Sequence, residues 1–382
     1  MPGGVGSLSP ARVLADGITQ RAGVIARRSA AGRTGAACAA VLAGVLLAPP
    51  GHAEALSREF FGVSAVEPHA RDFGVMGQSR VGTYRMMLLW PGVQESAKAR
   101  YDWSAPDFEV ASAARNGMRP FPFVFGSPPF AAGKTEAPPL RSTKAEKGWQ
   151  RFLTAAVNRY GPKGKFWKRN PSVPYRPVRE VQVWNEQNSQ HSWSGGPEPK
   201  QYAKLVELSA AAIKRGDRRI EIVLGGMYGY PERGQSIYMA KFLKRLYRIR
   251  GIKRRFDGVA VHPYGGTLEL LVAQVESARR IMDRFGDTRA PIWVSEMGWA
   301  TAGPDDFPIV TTERGQAERL RGAFQILLDR RRRYLIERVI WFAWRDFEHE
   351  ICPWCGAAGL IELSGDPKPA LEQFKRFTAK TR

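Results

Sequence analysis

Eight runs of β-branched and aromatic residues, each followed by a stretch of helical periodicity, constrain this chain more than any other feature. The runs are Phe60–Ala65, Thr83–Leu89, Arg119–Phe125, Val178–Asn185, Ile220–Leu224, Gly258–His262, Ile292–Ser295 and Arg338–Trp344. Helical patterns fit at 69–79, 105–116, 145–160, 200–215, 236–248, 268–285, 314–333 and 368–378. Within 268–285, Leu268, Leu271, Val272, Val275, Ala278, Ile281 and Met282 recur at helical spacing, a stripe suited to packing on a sheet. Strands joined by helices run parallel, and eight such units predict a closed (β/α)₈ barrel rather than an open doubly wound sheet. The first βα turn lacks a glycine-rich phosphate loop, which also argues against a dinucleotide-binding fold.

The first 53 residues read differently. Arg12, Arg21, Arg27, Arg28 and Arg33 make a basic leader, followed by an apolar stretch from Thr34 to Leu47 and the small-residue site Gly51-His52-Ala53. This is the pattern of a cleaved signal peptide, with a core too short to span a bilayer comfortably. Cleavage after Ala53 or Ala55 fits, by the general or, through Arg27-Arg28, the twin-arginine route. The expected organisation is therefore a signal peptide over 1–53 and one barrel domain over 54–382, secreted or associated with the cell wall and off the membrane after processing.

Removing a leader with five arginines and one aspartate from a chain of net charge +22 leaves about +18. Much of that charge falls on helix faces and ends, as in Arg330–Arg333, where cations complement the dipole. It also suits attraction to an anionic polymer such as an acidic polysaccharide. Nucleic acid is not expected as a partner, because no binding module is recognisable. Of three cysteines, Cys38 lies in the leader, and Cys352-Pro-Trp-Cys355 remain, a spacing that predicts a disulfide pinning a small loop.

Barrel enzymes carry their chemistry at the carboxyl ends of the strands. Strand four ends in Trp184-Asn185-Glu186 and strand seven in Glu296, 110 residues apart. Two such carboxylates suit an acid and a nucleophile acting on a glycosidic bond held between them. Strand six presents His262-Pro263-Tyr264, strand two Arg85 and Trp90, and strand eight Trp341 and Trp344. The loops add Phe130, His191, Trp193, Tyr228, Tyr230, Trp299 and Trp354. Polar groups that read hydroxyls, beside ring faces that stack on sugars, point to a saccharide ligand.

With these residues in these places, the chain resembles the glycoside hydrolases of clan A, with a flavour closest to families 39 and 5, over nearly its whole length after the leader. The resemblance implies a retaining hydrolase of a poly- or oligosaccharide, β-linked, with Glu186 as general acid/base and Glu296 as nucleophile. It implies Asn185 on the sugar 2-hydroxyl, Arg85 and Tyr264 holding the nucleophile beside His262, and Trp341 or Trp344 as the strand-eight platform. Trp193 and Trp299 are expected to touch substrate as well. Gln187 departs from the clan, which has proline after the acid/base glutamate. The mechanism needs no metal or organic cofactor, and neither His191 nor His349-Glu350 has metal-site spacing. Two other readings compete: a catalytically inactive glycan-binding protein on the same barrel, and a metal-dependent hydrolase of amides or phosphates, for which His262 is the lone strand-end histidine.

Overall fold

The computed structural model describes residues 55–230, 234–304, 308–348, 352 and 354–382. The expected leader, 1–53, lies outside the described residues, as does His349-Glu350. Eight parallel strands close into a barrel in sequence order: β1 Phe61–Ser64, β2 Thr83–Leu89, β3 Arg119–Phe125, β4 Glu180–Asn185, β5 Glu221–Tyr228, β6 Val259–His262, β7 Ile292–Met297 and β8 Ile336–Phe342. One major helix follows each strand: α1 Ala70–Gln78, α2 Ser104–Arg115, α3 Thr143–Tyr160, α4 Pro199–Gly216, α5 Met239–Tyr247, α6 Leu268–Arg284, α7 Glu313–Asp329 and α8 Pro369–Thr378. The (β/α)₈ barrel expected from the strand–helix alternation is the observed fold.

The helices form where amphipathic runs meet good caps. Ser142, Thr267 and Thr312 each accept a backbone N–H three residues on, which satisfies one open donor at the starts of α3, α6 and α7. In α6 the stripe Leu271, Val272, Val275, Ala278, Ile281 and Met282 is buried. Helix α8 closes the ring, with Phe374 and Phe377 packing on Phe324 of α7.

Strand alternation sorts the interior into layers. At the amino-terminal end, Arg119, Glu180 and Arg338 form a charged layer with Glu59; Arg119 lies 2.6 Å and Arg338 3.0 Å from the two Glu59 oxygens. Above it Phe121, Val223, Ala260, Trp293 and Ile340 fill the barrel with apolar volume. The next inward residues are Arg85, Gln182, His262 and Phe342, at the carboxyl end. Ser64 pairs with both Arg85 and Phe342, which fixes those two at one level on one face.

Several strand ends shift from the sequence reading, with β8 ending at Phe342 rather than Trp344, and two departures shape the site. β5 runs on through Gly225 and Gly226 to Tyr228, four residues past the expected end at Leu224. A Cβ at Gly225 would lie 2.1 Å from Gln187 Oε1, and one at Gly226 1.9 Å from His262 Nε2. These glycines mark close packing by neighbours within a strand. β7 carries an extra residue against β8: Val294 pairs with Val339, but Met297 pairs with Trp341. That bulge lets consecutive residues Ser295 and Glu296 both serve the barrel mouth.

Gly258 makes room for Trp293 in the same way, since a Cβ there would sit 1.9 Å from the indole. Gly258→Ala is expected to overpack this layer and cost about 2 kcal/mol, read as a lower urea midpoint at unchanged slope. An unchanged midpoint would show that the layer has slack.

Candidate active site

The site is organised around Arg85, whose side chain is fully buried inside the barrel. A guanidinium taken from water needs partners on every edge. Nη1 donates to Glu296 Oε1 at 2.6 Å, Nη2 to Asn185 Oδ1 at 2.8 Å, and Nε to Gln182 Oε1 at 3.4 Å. Its flat face lies 3.9 Å from the Phe123 ring centroid. The second oxygen of Glu296 accepts from the Tyr264 hydroxyl at 2.9 Å. Gln274 of α6 donates to the Tyr264 carbonyl at 2.9 Å and so fixes the turn that presents that hydroxyl.

Glu186 is delivered by a less ordinary backbone. Its φ is +43° and that of Trp184 is +72°, conformations uncommon for non-glycine residues. The surroundings hold them. The Glu186 N–H donates to Gly226 O at 2.9 Å, and Asn188 donates to the carbonyls of Tyr228 and Ile237. Gln187, the departure from the clan pattern, is wholly buried and donates from Nε2 to Gly225 O at 3.1 Å. It ties the loop to β5 with a hydrogen bond rather than with a ring constraint.

His262 sits between the two carboxylates. Nδ1 lies 2.9 Å from Glu186 Oε1 and 3.5 Å from Glu296 Oε2. One oxygen of Glu186, one of Glu296 and a His262 nitrogen all lie within 4.8 Å of one another. Such a triad could in principle face a cation. The Arg85 guanidinium and Tyr264 hydroxyl already occupy the two Glu296 oxygens, so this donor set fits an acid–base pair better than a metal.

The environments drive the two carboxyls apart. Burial pushes Glu186 above the usual carboxylate range; His262 pulls it back in part, and the Glu296 charge adds to the rise. Burial acts on Glu296 in the same sense, but there His262, Arg85 and the Tyr264 hydroxyl outweigh it and the carboxyl sits below its ordinary value. Burial, then the Glu296 charge, raises the Tyr264 phenol well above its usual value, so it remains a donor. The Glu186 and Glu296 side chains keep 20% and 11% of their surface exposed, so both are open to a ligand from the barrel mouth.

The geometry gathers Arg85, Asn185, Glu186, His262, Tyr264 and Glu296, but it overturns the tryptophan expectations. Trp193, Trp299, Trp341 and Trp344 are all fully buried. Trp341 has the outward parity of β8 and packs on Phe324 of α7. Trp193 packs edge-on to Trp184 and Tyr202, and Trp299 donates to Gly265 O at 2.9 Å. Trp344 lies past the strand, its backbone N–H donating to Ser64 O at 2.9 Å. The strand-eight aromatic at the mouth is Phe342, one residue from Trp341 and on the opposite face. Met87, two residues from Arg85 on β2, is 48% exposed at the same end. Period-two counting from Arg85 and Arg338 would have found both. Cys352 and Cys355 are disulfide-bonded, and the loop they pin places Trp354 edge-on to Tyr264 at 5.1 Å.

The family model for the glycosyl hydrolase catalytic core matches residues 166–374, more than half of the chain. The protein belongs to that family. Among solved structures, the barrel is similar to a family 39 glycoside hydrolase from the gut symbiont Bacteroides cellulosilyticus WH2, with a TM-score of 0.66 and 16% identity over 85% of this chain and 64% of that one. It is similar to a monomeric β-xylosidase from Caulobacter crescentus CB15, with a TM-score of 0.60 and 18% identity over 85% and 69%. A GH5_18 protein from Bifidobacterium longum subsp. longum, in complex with Manb1-4GlcNAc, gives a TM-score of 0.63 and 13% identity over 84% and 78%. At these identities the likeness is one of fold, and this chain spans just under two thirds of the first of the three. A comparison with curated proteins finds no match.

A carboxyl raised by folding is easier to ionise in the unfolded chain. Its stabilising contribution is therefore present below the unfolded value and lost as pH rises through the folded one. Glu186→Gln is thus expected to be more stable than the parent at neutral pH and equal to it below about pH 4. Melting temperatures across that range check this, and a variant less stable at neutral pH would contradict the assigned direction.

Proposed function

We propose that this chain is an exported, retaining glycoside hydrolase of a β-linked poly- or oligosaccharide, with Glu296 as nucleophile and Glu186 as general acid/base. The observation that carries the reading is the pairing of two carboxylates within 4.8 Å whose surroundings push their protonation in opposite directions. Retaining enzymes hold the two groups roughly 5–5.5 Å apart, whereas inverting ones leave space for a water between them.

Glu296, kept ionised by Arg85 and Tyr264, attacks the anomeric carbon. The C–O bond breaks, its electron pair leaves with the glycosidic oxygen, and that oxygen takes the proton of Glu186. Glu186, now a base, draws a proton from water, and the resulting nucleophile releases the sugar from Glu296. Asn185, anchored by Arg85, bonds the sugar 2-hydroxyl in this reading. Met87 and Phe342 offer apolar surface to a ring at the mouth.

The xylosidase activity named for one structural neighbour and the Manb1-4GlcNAc held by another make pentosides, hexosides and mannosides the first sugars to test. The net charge of about +18 left after the leader supports an anionic glycan among the natural substrates. The basic leader with its apolar core supports cleavage near residue 53, a one-domain mature protein, and a secreted or wall-associated location.

Activated 2-deoxy-2-fluoro xylosides, glucosides and mannosides trap a glycosyl-enzyme. Peptide mass spectrometry is expected to find the tag on Glu296, and Glu186→Gln to lower kcat/KM for unactivated substrates by about 10²–10⁴-fold. A tag on another residue would overturn the assignment. Undiminished glycan binding by a protein that turns over none of these sugars would favour the binding-protein reading.

A further inference from the structure

We propose that Ser295 is a positioning residue for acid catalysis: its hydroxyl holds His262 in the tautomer protonated at Nδ1, and this directs the catalytic proton of Glu186 to Oε2. The inference rests on the reading of Glu186 as general acid. It starts from a pairing that strand order creates. Ala260 of β6 pairs with Trp293 of β7 and Val261 with Val294, so His262 and Ser295 come next in register. The bulge in β7 then lets Ser295 keep the inward parity of Trp293 while Glu296 also faces the mouth.

Ser295 and His262 are both fully buried, so each polar atom between them requires a partner. Nδ1 of His262 faces two carboxylates, at 2.9 and 3.5 Å, and is therefore the nitrogen that carries the proton. In the neutral ring, Nε2 is then the acceptor. It meets Ser295 Oγ at 3.0 Å, where a hydroxyl can donate to it. The backbone at Gly226 lies so close to Nε2 that even a Cβ would collide at 1.9 Å, which shuts water out on that side. The chain of donors runs Ser295 O–H to Nε2, then Nδ1–H to Glu186 Oε1. With Oε1 occupied as an acceptor from His262, the proton of the acid form sits on Oε2.

Two variants and two readouts test this. Nitrogen NMR of the ¹⁵N-histidine-labelled protein needs no substrate, and with five histidines in the chain a His262→Gln sample assigns the signal. The expected result is a protonated Nδ1 and an unprotonated, hydrogen-bonded Nε2 at His262, lost in Ser295→Ala and restored in Ser295→Thr. A proton on Nε2 in the parent protein, or an unchanged tautomer in Ser295→Ala, overturns the proposal.

The second readout compares kcat/KM for phenyl and 2,4-dinitrophenyl glycosides of the sugar accepted in the labelling panel. A poor leaving group needs the acid, and a good one does not. Ser295→Ala is expected to lose about tenfold more on the phenyl substrate than on the dinitrophenyl one, with Ser295→Thr recovering most of the difference. Equal losses on both would mark Ser295 as merely structural. Glu186→Gln, run alongside, separates the two claims. If it too shows no leaving-group dependence, the acid role of Glu186 fails; if it alone shows one, the Ser295 proposal fails.

Discussion

A guanidinium buried inside a barrel is a demand that the rest of the site answers. Removing a full charge from water costs several kcal/mol even after relaxation, and only close, well-directed partners offset that. Arg85 finds them on β4 and β7 and rests its face on a ring from β3. No pair of adjacent strands could supply this set. The barrel must close before Glu296, 211 residues away in sequence, reaches Nη1. The cation that holds Glu296 ionised thus also couples the arrangement of the site to complete folding.

The same arrangement separates the two glutamates. Both lie in low-dielectric surroundings, and burial alone would raise both. His262 lowers both, but only on Glu296 do Arg85 and Tyr264 add hydrogen bonds of their own, and there together with His262 they outweigh burial. Glu296 is thereby kept ionised, and Glu186 is favoured in its protonated form. Glu186 is retained at a cost to stability, in a backbone conformation that hydrogen bonds from Asn188 and Gln187 hold in place. Functional sites commonly carry such costs.

Space is the other constraint. His262 and Trp293 are large rings in a narrow barrel, and each lies against a glycine backbone, Gly226 and Gly258. An inward bulge on β7 then adds one more side chain than regular alternation allows. These local departures from an ideal strand are what let a histidine, a serine and a glutamate share one end of two neighbouring strands.

Much of this was legible in the sequence. The eight strand–helix units, the closed barrel and the pairing of Glu186 with Glu296 follow from periodicity and from strand-end chemistry, which depend on near neighbours along the chain. The expectation that Trp341 or Trp344, with Trp193 and Trp299, faces substrate failed, on strand eight because it used proximity to the strand end without parity: Trp341 and Phe342 are adjacent in sequence and point to opposite faces of β8. Trp193 and Trp299 lie in loops, and a loop's composition does not say which way it folds. What only tertiary structure decided was which atoms meet. Local sequence sets backbone period and burial preference; the register between strands, the bulge in β7 and the close approach at two glycines arise from packing between segments far apart in the chain, and they set the contacts of His262 and Arg85.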